Sequence, residues 1–157
     1  MRDRRFVAEH RGGPLSLDEH HLLMSWACGC ARHVLRWSGA KIDERLRDAL
    51  RVAAEWNRGK ASVGEARAAS VNAIATAREA STPPAIAVAR SVGHAVATAH
   101  MADHALGAAL YALKAVQGAG RPTDVERRWQ DDQLPAAIRD LVLSVRARRD
   151  ARGIRVP

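Results

Sequence analysis

Residues 83–116 read PPAIAVARSVGHAVATAHMADHALGAALYALKAV, and this stretch decides the fold class. Between Ile86 and Val116 only Arg90, Asp103 and Lys114 carry formal charge, and Ser91 through Ala102 carry none. Alanine recurs along it; alanine has the best helix propensity of all residues and gives a strand little to pack. Thr82 before Pro83 and Pro84 is a helix start, because the hydroxyl caps and proline is tolerated in a first turn whose N–H groups lack partners. Gly118 and Gly120 mark the stop. The expectation is one helix over residues 83–116, about 50 Å long, with a bend at Gly93 or Gly107. A helix apolar on nearly all sides belongs in the middle of a bundle. A membrane span does not fit, since alanine contributes little to insertion and His94, His100, Asp103 and His104 lie within the window.

Shorter helices flank this segment. Ser16 with Glu19, Ser62 with Glu65, and Thr123 with Glu126 each have the spacing of a capping box, in which two side chains satisfy the orphan N–H groups of a first turn. They predict helices from Ser16 to about Trp37, from Ser62 to about Ala80, and from Thr123 onward. Ile42, Leu46, Ala49, Leu50, Ala53 and Trp56 recur every three or four residues and predict another helix over 42–57, ended by Gly59. Pro135 divides the last region into 124–133 and 135–149. No strand pattern occurs. The whole is an all-α, single-domain bundle of five to six helices around a long central Ala-rich helix.

The chain has 157 residues, enough for one domain with a real core. Its apolar content is 47%, with Phe6 and Tyr111 as the sole Phe and Tyr, so four tryptophans must supply much of the bulk. The net charge is +8. Residues 1–11 hold four Arg against Asp3 and Glu9, and residues 144–157 hold five Arg against Asp150. The excess therefore sits at the ends, which read as a basic N-terminal tail over 1–14 and a basic C-terminal tail over 150–157, with the bundle at 15–149. Such tails either solubilise the chain or touch nucleic acid, anionic lipid or an acidic protein. No apolar run follows the first arginines before Gly12-Gly13-Pro14, so no secretory signal is read and a cytoplasmic location is expected. Cys28 and Cys30 point about 200° apart on a helix and should not bond to each other.

The polar residues of the central stretch are the candidate site. His100 and His104 share a helix face, with His94 about 80° from His104. Two His at this spacing can share a divalent metal, with Cys30 as a further ligand if the first helix packs alongside. Alternatively His94, His100 and His104 serve as acid or base, since imidazole titrates near neutral pH. The plainer alternative is that they are core residues hydrogen-bonded to neighbouring helices. His20 could join them. No phosphate-cradling Gly loop, nucleophile elbow, CxxC pair or di-iron carboxylate pattern is present, which leaves an enzyme as the less favoured class. Residues 124–149 make two short helices but show no clear DNA-recognition helix.

The run GHAVATAHMADHA over 93–105, preceded by Leu17-Asp18-Glu19-His20, Trp26-Ala27 and Gly64-Glu65-Ala66-Arg67, resembles immunity proteins of bacterial polymorphic-toxin systems, the immunity-protein-five-like group. The resemblance spans about residues 15–117. It implies a cytoplasmic all-α protein that neutralises a cognate toxin by binding it, and it matches His94, His100 and His104 to the family's His-bearing run. An inhibitor needs a surface with aromatic or charged anchors, for which Trp37, Trp56 and Trp129 are the candidates. The competing expectation is a small-molecule- or metal-binding bundle using the three histidines. A homodimer is also expected, because a small bundle with a long apolar element tends to bury its remaining face on a copy of itself.

Overall fold

The computed structural model describes residues 3–152 and is helical throughout. Seven α-helices follow one another: α1 (Leu17–His33), α2 (Glu44–Asn57), α3 (Val63–Glu79), α4 (Pro83–Ala97), α5 (His104–Gly118), α6 (Thr123–Asp132) and α7 (Ala136–Ala151). Short 3-10 turns occupy Arg4–Phe6, Glu9–Arg11 and Leu35–Trp37. No helix among the described residues is long and apolar enough to cross a membrane.

The all-α class expected from the sequence holds, but the long central helix does not. Residues 83–116 form a hairpin, α4 and α5, reversed across Thr98–Asp103. At the break the ladder tightens: Thr98, Ala99 and His100 donate to the carbonyls three residues back, at 3.2, 3.2 and 3.1 Å. Helix is resumed at His104, with Asp103 at the N-cap position. The returning helix runs antiparallel to α4, so that Gly118 lies beside Pro84, Ser91 Oγ donates to Ala108 O at 2.8 Å, and Gly107 lies beside His94. The physical reason is burial. A 50 Å rod would protrude from so small a bundle, whereas folded in half its apolar surface is covered on both arms. α4 packs on α1, α2, α3 and α5, and α5 packs on α1, α4 and α6. The hairpin is therefore the centre that the rod was expected to be.

Gly93 and Gly107 do not bend the helices; they let neighbours approach. A methyl group on Gly93 would sit 2.2 Å from Ile74 Cγ1 on α3, and one on Gly107 would sit 2.6 Å from His94 Nδ1. Around this contact the interior is largely alanine and valine, with Val88, Val92, Ala95, Val96, Ala105, Ala108 and Ala112 all buried. Larger buried residues complete the same core, among them Phe6, Leu23, Met24, Trp26 and Ile138.

Both serine capping boxes are formed, Ser16 with Glu19 and Ser62 with Glu65. The third is not. Pro122 occupies the N-cap of α6, and Glu126 turns inward, 4% exposed, to bond His33 instead. Helix α1 also ends earlier than expected, at His33, and a 3-10 turn then carries Trp37 off its axis. Of the stretch expected as a basic N-terminal tail, residues 3–14 are described: Phe6 and Ala8 are buried, and Arg5 donates to Ser144 Oγ of α7 at 2.9 Å. Of the expected C-terminal tail, Asp150 through Arg152 are described and residues 153–157 lie outside the described residues.

Two glycine substitutions separate close packing from helix propensity. Gly93→Ala should lower the unfolding free energy by about 1–3 kcal/mol, because the overpacked methyl meets the branched stem of Ile74. Gly29→Ala, in α1 with nothing near the new methyl, should raise it by about 0.5–1 kcal/mol. Urea denaturation of both variants against the parent checks the pair; equal effects would show that the α3–α4 crossing is looser than described.

Candidate functional site

The reversal at Thr98–Asp103 brings two histidines face to face. His94, in the last turn of α4, and His104, the first residue of α5, lie with their Nδ1 atoms 3.0 Å apart. Two nitrogens at that distance hold one proton between them, one ring donating and the other accepting. His100 continues the row, its ring centroid 5.0 Å from that of His104, and Tyr111 stacks on His94 at 5.1 Å on the other side. Arg90 and Lys114 lie over the Tyr111 ring at 5.7 and 5.2 Å. Burial, helped by His104 and Arg90, pushes the His94 pKa down to about 4, so this imidazole is neutral near pH 7.

The three candidate histidines are thus assembled, as a row of successive rings. Among the described residues, no group of three or more His, Cys, Asp and Glu side chains is arranged to hold a metal ion. Cys30 lies elsewhere. Burial raises its thiol pKa, and the charges that act on it are Arg146, Glu126 and Asp131 on the α6–α7 side. His20 also has a structural environment: its Nε2 donates to Thr98 O at 2.6 Å, and its ring meets the edge of Trp56 at 5.0 Å. Burial lowers its pKa too.

A second locus forms where the end of α1 meets α6. His33 stacks on Trp129 with centroids 3.7 Å apart and planes 11° from parallel. Its Nδ1–H donates to Glu126 Oε2 at 2.8 Å. The other Glu126 oxygen accepts from Gln130 Nε2 at 3.3 Å, and the same amide donates to Ala109 O of α5 at 3.2 Å. Gln130 Oε1 accepts from Arg146 of α7 at 2.6 Å, while Trp26 Nε1 donates to the Gln130 carbonyl at 2.8 Å. Arg146 also pairs with Asp131. This network ties α1, α5, α6 and α7 together beneath the surface.

Above it lies a cleft of about 560 Å³, walled by Trp37, Trp129, Val116 and Val125, with Arg36 and Arg121 at its sides. The Arg36 guanidinium rests 4.2 Å over the Trp37 ring. Across the His33–Trp129 stack a second hollow of about 480 Å³ is lined by Trp26, Gly29, Arg32 and Gln133. Of the three tryptophans expected as partner anchors, Trp37 and Trp129 therefore share one concavity, while Trp56 is buried against His20 and His21. His33, Arg36 and Arg121 carry no expectation from the sequence, and Glu126 was expected only as a helix cap. The Arg36-Trp37 and Arg128-Trp129 pairs were the available signal, since these residue types concentrate in binding surfaces.

A family model described as "Imm-5 like putative immunity protein" matches residues 13–137. The chain belongs to that family. The match extends beyond the 15–117 of the sequence resemblance and takes in α6, so the imidazole row and the Trp37–Trp129 cleft both fall within the family region. No curated protein and no solved structure matches the chain.

The neutral state of His94 has a measurable sign. Unfolded, the ring gains its proton near the ordinary 6.5; folded, only near 4. Between these values the unfolded chain binds more protons, so stability is full above about pH 6.5 and is lost progressively as pH falls to 4. His20 adds a contribution of the same sign. Denaturant unfolding at steps across this window should show the fall, and His94→Asn, which keeps a hydrogen-bonding group near the Nδ1 position, should make it shallower without abolishing it. An unchanged slope in that variant would mean that His94 is not the titrating group.

Proposed function

We propose that this immunity-family protein neutralises a toxin by binding it directly, using the Trp37–Trp129 cleft as the contact surface. The observation that carries the proposal is the cleft itself: two indoles and two guanidinium groups converge on one concavity at a place held rigid by buried hydrogen bonds. Tryptophan and arginine dominate the residues that contribute most to protein–protein affinity, and they do so where a pocket is already formed and little ordering entropy remains to be lost on binding. The encounter takes place in the cytoplasm of a bacterial cell, and occupation of the toxin's active surface is sufficient for neutralisation. The imidazole row serves here as scaffold, a hydrogen-bonded seam between α4 and α5 that sets the position of α1 through the His20–Thr98 bond.

The test is co-production with toxin domains encoded beside this gene, reading growth and complex formation. The wild-type chain should restore growth and co-purify with one of them. Trp129→Ala and Trp37→Ala should each weaken that complex by about thirtyfold or more, the scale of a hot-spot residue, with helical content retained. Failure to neutralise any neighbouring toxin would overturn the proposal. Wild-type affinity in both tryptophan variants would move the contact surface away from this cleft.

A further inference from the structure

The cleft has a charge pattern that goes further than its shape. Among the described residues, eight arginines engage in ion pairs with carboxylates: Arg5, Arg45, Arg47 and Arg51 in the first half of the chain, and four others in α6 and α7. Arg36 and Arg121 beside the cleft, and Arg32 in the adjoining hollow, are exposed and belong to none of those pairs. The one carboxylate lining either hollow is Glu126, which is buried and whose oxygens are occupied by His33 and Gln130. Among the described residues no carboxylate pairs with these rim arginines, which flank a largely apolar floor. Arg36 holds its guanidinium over the Trp37 ring and takes part in none of the ion pairs among the described residues, and such a planar fork suits a carboxylate. Val125, 54% exposed, adds an apolar contact at the same opening.

From this we infer that the occupant of the cleft is an acidic segment of a partner protein, with an Asp or Glu carboxylate set between Arg36 and Arg121 and an adjacent aliphatic or aromatic side chain on Trp37 and Trp129. The inference rests on the proposed neutralisation by direct binding and names the chemistry of the partner's side. The chain's net charge of +8 acts in the same direction at longer range, drawing an acidic surface toward it. A nucleic acid fits less well. A phosphate backbone calls for a row of cations along a groove, whereas here two cations flank a concave indole-lined floor and a third lies in the adjoining hollow, and the outer face of α6 carries Asp124 paired to Arg128.

The experiment selects displayed random peptides on the full-length chain and then measures the enriched sequences by fluorescence anisotropy. Enriched peptides should carry Asp or Glu next to an apolar residue. Arg36→Glu and Arg121→Glu should each weaken them by about tenfold or more, and affinity should fall as salt rises from about 50 to 500 mM. The milder Arg36→Gln and Arg121→Gln, checked by circular dichroism, separate charge from any loss of fold. A Lys-for-Asp/Glu version of the peptide should recover binding to the Glu variants. Basic or uncharged peptides, no enrichment at all, indifference to the arginine substitutions, or displacement of the peptide by a single-stranded oligonucleotide at lower concentration would each overturn the inference. A toxin neutralised equally well by the charge-reversed chain would sink this inference and leave neutralisation standing. Acidic peptides captured at the cleft without any toxin neutralised would do the opposite.

Discussion

The contact between α4 and α5 is a backbone contact as much as a side-chain one. An interior built from alanine and valine gains its dispersion energy from many small groups, and those groups must be close to gain it. Closeness is supplied where a side chain is missing: at Gly107 the His94 ring takes the space of a methyl, at Gly118 the backbone of Pro84 approaches, and at Gly93 the Ile74 side chain of α3 enters. Ser91 and Ser70 finish the contacts by donating their hydroxyls to carbonyls of the facing helices, Ala108 O and Gly93 O, both at 2.8 Å. These hydroxyls are buried and would be costly without acceptors. Given them, they fix the axial register of α5 and α3 against α4 more sharply than alanine methyls could.

The rest of the architecture follows from that register. The chain reversal exposes the Thr98 carbonyl to His20, and the bond between them seats the start of α1 across the hairpin turn. With α1 fixed at that end, its direction carries His33 and the following 3-10 turn to the opposite end of the molecule, where α6 waits. Helix α6 is in turn fixed to α5 through Gln130 and Ala109 O. The Trp37–Trp129 cleft is thus the far consequence of a hairpin that contributes only Val116 to its wall.

The sequence made the helical class, the two serine caps and the proline division of the C-terminal region legible, because each rests on local chemistry that the fold does not override. The break at Thr98–Asp103 was not legible. It contains no Gly or Pro, and its cause is global: the lack of enough surrounding bundle to cover a continuous rod. Glu126 misled for a related reason. Three residues after Thr123 it has the spacing of a cap, but it is drawn inward by His33, 93 residues away in the chain. His94, His100 and His104 lie side by side, but a chain reversal orders them and not the continuous helix expected, with His94 on α4 and His104 on α5. The cleft escaped because Trp37 and Trp129 lie on different elements, and only the α1–α6 contact brings them together.

Charge is distributed in a way that separates scaffold from surface. Inside, burial lowers the pKa of both His94 and His20 and so disfavours a charge on either ring at the hairpin. Among the described residues the one deeply placed guanidinium, Arg146, is compensated by Asp131, Gln130 and the face of Trp26. An unpaired ion in that position would cost several kcal/mol by desolvation, so its partners are a condition of the fold. Arg36, Arg121 and Arg32 face water and carry no such condition, since hydration alone satisfies them. Their clustering around two indoles is therefore not required by folding stability. A surface arrangement that stability does not demand, built over a network that stability does, is the arrangement expected of a binding face whose selection came from its partner.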